Sequence, residues 1–357
     1  MSLILMNMIS KMANTSGNTP LTENFSMTHV TSDEIGSITY NPFDNCYYGF
    51  RDNYLVKSRK GSQFSNIWTD PIFSSYRPVG LKFLSNGNIL VWAMGGRLKV
   101  LDSKLTLLKD HTGIYQPLNN LIGTSEAKGI VMTSEYGGPN GINGSKVWKS
   151  TDYGLNWTIV KEFSDITHIH SVQYDRYGDC WWVCTGDPNS ASQIWQSKDD
   201  GATWTLKANG TQDYRLCGIG ITRDRLIWIP DNPGAKDNNK LWVINRKDID
   251  KDWTTNRQEL SSSIHGACYG QAETADGRIL FFTSAESSPY SALYISDGVK
   301  SKMLAKIQKK FGSSILLAGF TSLTELNYLN SAYVLVSEAD KFKGVYRLNI
   351  PLDSLEF

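Results

Sequence analysis

Ser150-Thr151-Asp152-Tyr153-Gly154-Leu155-Asn156-Trp157 and Ser197-Lys198-Asp199-Asp200-Gly201-Ala202-Thr203-Trp204 are two copies of one pattern, S-x-D-x-G-x-x-W, standing 47 residues apart. Their flanks repeat too: Lys146-Val147-Trp148-Lys149 matches Gln193-Ile194-Trp195-Gln196, and Trp157-Thr158-Ile159-Val160 matches Trp204-Thr205-Leu206-Lys207. Each copy reads as strand, tight turn, strand. Ser and Asp oxygens accept from turn N–H groups, Gly takes the positive φ, and Trp packs over the turn. A recurrence of this size predicts a repeat architecture.

Working outward, seven apolar runs align: residues 46–51, 89–94, 130–135, 182–187, 226–231, 281–286 and 333–338, with starts separated by 43, 41, 52, 44, 55 and 52 residues. Most follow a Gly, Asn or Asp turn such as Ser85-Asn86-Gly87-Asn88, which is a hairpin signal. Helical periodicity is confined to Ser301 to Lys310. Units of about 45 residues have the size of a four-stranded meander.

The octapeptide resembles the Asp box of the sialidase-like (BNR-repeat) β-propellers, and residues 168–187 are similar to a stretch in uncharacterised BNR-repeat proteins of bacteria and their phages. The resemblance implies an all-β chain: a β-propeller of four-stranded blades, seven by the count of aligned runs, with six as the alternative because the first unit is the weakest. Residues 31–357 would be the single propeller domain. Residues 1–30, rich in Ser, Thr and Asn, read as a flexible or peripheral arm through which a larger assembly could form.

Composition excludes some partners. Lys+Arg (36) nearly cancels Asp+Glu (35), so there is no field to hold a phosphate backbone, and nucleic acid is not expected. No stretch approaches the length of a membrane span, and the apolar start, Met1 to Ile9, lacks the basic flank of a signal peptide. That leaves either a cytoplasmic or a released, virion-associated location. The 11 Trp and 17 Tyr suit packing between sheets first and sugar stacking second. Cys46, Cys180, Cys184, Cys217 and Cys268 show no metal-knuckle spacing and read as buried free thiols.

In an Asp-box blade the box is the turn from third to fourth strand, so Asp152 and Asp199 are structural and the pocket lies on the opposite face. The aligned runs are then second strands, whose ends point to that face: Arg51, Met94, Glu135, Asp187, Asp231, Glu286 and Glu338. Carboxylates at strand ends can cap loops or converge as acid, base or ligand. The entries to the innermost strands supply Asp33-Glu34, Tyr76-Arg77, Tyr115-Gln116, His168-Ile169-His170, Tyr214-Arg215 and His265-Gly266. Strand alternation puts His168 and His170 on one face. The candidate catalytic residues are Glu135, Asp187, Asp231, His170 and His265. The candidate substrate-binding residues are Arg77, Arg215, Tyr76, Tyr115, Tyr214 and Gln116, with the arginines placed to clamp an acidic group. No metal and no cofactor is expected, since the sequence fixes no third ligand for the two histidines.

True sialidases use three arginines, a Tyr–Glu nucleophile pair, an Asp acid and an Arg-Ile-Pro motif. Here Arg77-Pro78 is the nearest echo, Arg51 would be the third arginine, and no Tyr–Glu pair is assigned. The expectation is a glycan- or polysaccharide-cleaving enzyme, hydrolase or lyase, other than a true sialidase. The alternative is a non-catalytic propeller that binds glycan or protein, such as a phage or virion surface component.

Overall fold

The computed structural model describes residues 26–31, 35–59, 63–119, 122–138, 144–286, 288–308, 319–323, 331–337 and 344–349. Strand β1 (Ser26–Thr31) precedes a first meander, β2 (Gly36–Asn41), β3 (Cys46–Arg51), β4 (Tyr54–Arg59) and β5 (Ser65–Thr69). The second is β6 (Pro78–Phe83), β7 (Ile89–Ala93), β8 (Arg97–Leu101) and β9 (Leu107–Thr112). The third is β10 (Thr124–Ala127), β11 (Ile130–Ser134), β12 (Lys146–Ser150) and β13 (Thr158–Glu162). The fourth is β14 (His168–Asp175), β15 (Cys180–Gly186), β16 (Gln193–Ser197) and β17 (Thr205–Asn209). The fifth is β18 (Gly220–Ile221), β19 (Arg225–Trp228), β20 (Asn239–Asn245) and β21 (Gln258–Ile264). Then come β22 (Ala267–Glu273), β23 (Ile279–Ser284), β24 (Tyr290–Ser296), β25 (Ser301–Gln308), β26 (Gly319–Leu323), β27 (Ser331–Ser337) and β28 (Gly344–Asn349).

Among the described residues these strands form six sheets, five of four strands and one of eight. The fold is an all-β propeller with four-stranded blades, and counted as hydrogen-bonded sheets it has six, not seven. The count differs because β22–β25 and β26–β28 join through the pair Ser284↔Gly319, which strand spacing cannot reveal. Strand β1 lies along β28 in the same sheet, so the end of the expected arm belongs to the propeller. Residues 1–25, Asp33-Glu34 and Glu338 lie outside the described residues. The helical signal at Ser301 to Lys310 is also corrected. Residues 301–308 are β25, in register with β24 from Ser296↔Ser301 to Tyr290↔Gln308, and tertiary pairing overrides a weak local period.

The second strands are the most buried; every residue of β15 is covered. Apolar side chains from neighbouring sheets interlock between them. Trp182, Trp228 and Trp253 fill the space between the fourth and fifth, with ring centroids 5.4 Å apart for Trp228 and Trp253 and 6.0 Å for Trp182 and Trp253. Each such ring contributes about 1.5–3 kcal/mol by leaving water. The aromatic excess is thus largely core.

Both octapeptides join third to fourth strands, β12 to β13 and β16 to β17, and are wired alike. Ser150 Oγ accepts from Gly154 N and donates to Asp152 Oδ1, each at 2.8 Å; Asp152 Oδ1 takes Asn156 N at 2.9 Å; Trp157 Nε1 donates to Gly154 O at 2.9 Å. Ser197, Asp199, Gly201, Thr203 and Trp204 repeat this at 2.8–3.2 Å. Gly154 and Gly201 both stand at φ +90, and a Cβ on Gly154 would lie 2.7 Å from Leu90 of the preceding sheet. The turn therefore needs glycine twice over, for conformation and for close approach.

Candidate functional site

The meander sends connections between second and third strands, and between successive sheets, to one face. The octapeptide turns lie on the other. On the first face the strand ends and strand entries chosen from sequence meet directly. Met94 N donates to Arg77 O at 2.9 Å, Tyr136 N to Gln116 O at 2.9 Å and Asp231 N to Arg215 O at 2.7 Å.

The fourth and fifth sheets bring five ionisable side chains together there. His168 and His170 come from the start of β14, where the register with β15 shifts between Ile169 and Ser171; a bulge of this kind re-aims a side chain. Their Nε2 atoms stand 3.1 Å apart. Asp187, just beyond β15, places Oδ2 at 3.3 Å from His168 Nε2 and Oδ1 at 3.4 Å from His170 Nε2. Arg215 bridges two carboxylates, Nη2 to Asp187 Oδ1 and Nε to Asp231 Oδ2, both at 3.0 Å. Behind the ring, His170 Nδ1 lies 3.0 Å from Leu216 O. Tyr136 stacks at 4.1 Å on His168 and 6.2 Å from His170, centroid to centroid.

The two carboxyls are pushed in opposite directions. Burial works to raise Asp187, but hydrogen bonds from His168 and His170 and the charges of His168 and Arg215 outweigh it and hold the group well below the carboxylate range. Burial dominates at Asp231, raising it despite His170 and Arg215, and its Oδ1 has no partner. Burial likewise pushes the Cys217 thiol well up, with Asp231 adding to it. The hydroxyl of Tyr136 is raised by burial, then by Cys217 and Asp187.

The other sequence candidates lie elsewhere. Glu135 is buried beneath the same face, its Oε1 accepting from Trp148 Nε1 at 2.8 Å, and burial raises its carboxyl; it caps a loop. His265 Nδ1 sits 2.9 Å from Asp237 Oδ1, under the ring of Tyr290 at 5.4 Å, apart from the histidine pair. Tyr76 and Tyr115 lie over Gly95 and Gly96, and Arg77 is exposed. Tyr214 is fully buried in the core between the fourth and fifth sheets, with Arg257 4.8 Å above its ring. Gln116 keeps a buried, unpartnered Oε1 beside Gly137.

Sequence reasoning missed Tyr136, Cys217 and Tyr269. Tyr269 donates to Glu286, and burial and then the charge of Asp231 push its hydroxyl up. It sits where β22 shifts register between Cys268 and Gly270, the place His170 holds in β14. The shared bulge appears only in the strand register, so the sequence carried no signal for it.

A cavity of about 520 Å³ opens at the other mouth of the axis, on the octapeptide side, where Glu126, Gln173, Arg176, Tyr177, Gln271 and Glu273 line it. Gln173 is fully used, bonding Ile219 N at 2.8 Å and Ile219 O at 3.1 Å. Gln271 is buried with neither amide atom partnered. Arg176 pairs with Glu273. This mouth carries a cavity, while the first carries the histidine–aspartate–arginine cluster.

No known family model and no curated protein sequence matches the chain. Solved structures do match along nearly its whole length. A streptogramin B lyase is 13% identical with a TM-score of 0.62, covering 93% of this chain and 99% of that one. A catalytically inactive virginiamycin B lyase from Staphylococcus aureus with quinupristin is 12% identical with a TM-score of 0.63, covering 92% and 100%. The WD40 β-propeller domain of Doa1 is 12% identical with a TM-score of 0.58, covering 93% and 99%. At these identities the likeness is one of fold, and it is to β-propellers.

Proposed function

We propose that the chain is a glycan- or polysaccharide-cleaving enzyme, hydrolase or lyase, whose site is the His168–His170–Asp187–Arg215 cluster on the face opposite the octapeptide turns. One observation carries the reading: two carboxyls joined by one guanidinium have opposite protonation tendencies, with two imidazoles within 3.4 Å of the ionised one. Environments that drive neighbouring groups apart in this way mark acid–base sites. In this reading His168 and His170 move the proton, Asp187 orients them, and Asp231 holds Arg215 without touching substrate. Tyr136 offers a ring against which a sugar can stack.

The resemblance of the octapeptides to Asp boxes supports the sialidase-like branch of the propellers. Arg215, however, is already shared by two aspartates, so a three-arginine clamp is not preformed, and Tyr269 beside Glu286 is held protonated. The lyases among the similar folds support only that a propeller can carry a lyase activity. The second reading is a non-catalytic glycan or protein binder, favoured by the polar cavity at the other mouth.

The test is a panel of neutral and uronate-containing polysaccharides, followed for new reducing ends and for unsaturated product. Turnover that Asp187→Asn abolishes supports the enzyme. Saturable binding without product, unaffected by Asp187→Asn, overturns it and favours the binder.

A further inference from the structure

The geometry points to a three-ligand site for a divalent first-row transition-metal ion, with zinc as the ion to test, formed by His168 Nε2, His170 Nε2 and the Asp187 carboxylate. His168 Nε2 and His170 Nε2 stand 3.1 Å apart, with Asp187 Oδ2 3.3 Å from the first and Asp187 Oδ1 3.4 Å from the second, and one ligand atom from each of the three residues lies within 4.8 Å of the others. With metal–ligand bonds of about 2.0–2.1 Å, tetrahedral donors lie about 3.4 Å apart and octahedral ones about 3.0 Å. The two imidazole nitrogens and the carboxylate, one oxygen toward each ring, thus already surround the place an ion would take.

Proton bookkeeping supports the same conclusion. His170 Nδ1 faces a carbonyl, Leu216 O, at 3.0 Å, which an N–H there satisfies. That tautomer leaves the lone pair of Nε2 free for a ligand on the Asp187 side. Among the described residues the neutral donor in reach is then His168 Nε2, which can serve one of the two acceptors at a time. A cation at the centre satisfies all three together.

The surroundings are those of a metal shell. The second nitrogen of a ligating histidine commonly donates to a backbone carbonyl, and ligating carboxylates are themselves hydrogen-bonded; Leu216 O and Arg215 Nη2 fill these roles. His170 is 1% exposed, His168 12% and Asp187 35% by side chain. The ion therefore has an entry path and an open coordination position, as in catalytic rather than structural zinc sites.

A competing set, His170, Cys217 and Asp231, also gathers its ligand atoms within 4.8 Å and is wholly buried. It is the poorer shell. His170 Nδ1 is committed to Leu216 O, and zinc needs a thiolate and an ionised carboxylate, forms that burial opposes at Cys217 and Asp231.

This inference deepens the proposed site but is measured without substrate, so it fails or stands independently of turnover. The full chain is stripped with chelator and dialysed against zinc, and bound metal is counted by mass spectrometry. Affinity is read by competition with a chromophoric chelator, and cobalt(II) substitution reports the ligand set. The expected result is one zinc per chain, with visible cobalt bands and no thiolate charge-transfer band. Asp187→Asn and His168→Gln, both near-isosteric and partly exposed, should each weaken binding about 100-fold or more, while Cys217→Ser leaves it unchanged. No zinc above the level of the His168→Gln, Asp187→Asn double variant overturns the site. So does loss of zinc in Cys217→Ser with retention in Asp187→Asn, which would move the ion to the inner set.

Discussion

The two mouths of the propeller axis are built by the same strands and share almost no chemistry. Strand β14 runs between them, His168 and His170 at one end and Gln173 at the other, where Gln173 bonds Ile219. The first mouth receives irregular connections, and these deliver Asp187, Arg215, Asp231 and Tyr136. The second receives tight turns from first to second strands, and it is left with strand-borne amides and the Arg176–Glu273 pair. Loops can vary without disturbing the sheet, so ionisable groups collect where the loops are. A cavity and a cluster of ionisable groups need not coincide.

The sharpest way to break this contrast is turnover. His170→Ala or Asp187→Asn should lower kcat/KM on a cleaved polysaccharide by about 10²–10⁴-fold, whereas Glu273→Gln at the far mouth should change it by less than about 3-fold. The reverse ranking would transfer the site to the cavity.

Next in size are the octapeptide turns, which lie on the far side and should matter to stability alone. Gly201→Ala forces φ +90 on a side chain and brings its Cβ to 3.0 Å from Met132; urea unfolding should show a loss of about 1–3 kcal/mol. Activity per folded molecule should be unchanged, and a fall in it would tie the turns to the site.

Gln271→Leu probes the far mouth itself. If the buried amide has no partner, replacing it with an apolar side chain should be neutral or stabilising by up to about 1 kcal/mol. A loss of similar size in chemical denaturation would mean that the amide holds water or a ligand in the cavity.

The two aspartates of the first mouth should bend the pH profile of stability in opposite senses. Asp231 is raised in the folded state, so its contribution is complete below the ordinary carboxylate pKa and is lost as pH rises through the folded value. Asp187 is lowered; its contribution holds above the ordinary value and is lost only as pH falls far below it. Across the acid range the unaltered chain should therefore lose stability relative to Asp231→Asn as pH rises; parallel denaturation profiles for the two would show Asp231 ionised in the fold.

The smallest effect should come from Arg176→Ala. Its ion pair with Glu273 is largely exposed on the arginine side, and such pairs contribute at most about 1 kcal/mol and less in salt. A larger, salt-insensitive loss in thermal unfolding would mark this pair as part of a closed binding site.

Much of the fold was legible because it is local. The turn chemistry of Ser150 to Trp157 and Ser197 to Trp204 is set by neighbouring residues, and it returned the same hydrogen bonds in both copies. The second-strand ends were legible for the same reason. Asp187 and Asp231 stand at the site because a repeat brings equivalent positions to one face. Their fates were not legible. Glu135 occupies the equivalent place and is taken up by the indole of Trp148, and Tyr214, beside Arg215 in sequence, points into the core. Side-chain direction at a loop depends on what the next sheet offers.

The sequence by itself determined that the chain repeats a strand–turn–strand unit, that Asp152 and Asp199 belong to turns, and that strand ends face away from them. These follow from turn geometry and strand period. Only the tertiary structure decided that the last seven strands and the first share one sheet, that a bulge at His170 brings two imidazoles to 3.1 Å, and that Arg215 is shared between Asp187 and Asp231. Each depends on contacts between residues far apart in the chain, where burial and charge, not local propensity, decide which groups meet.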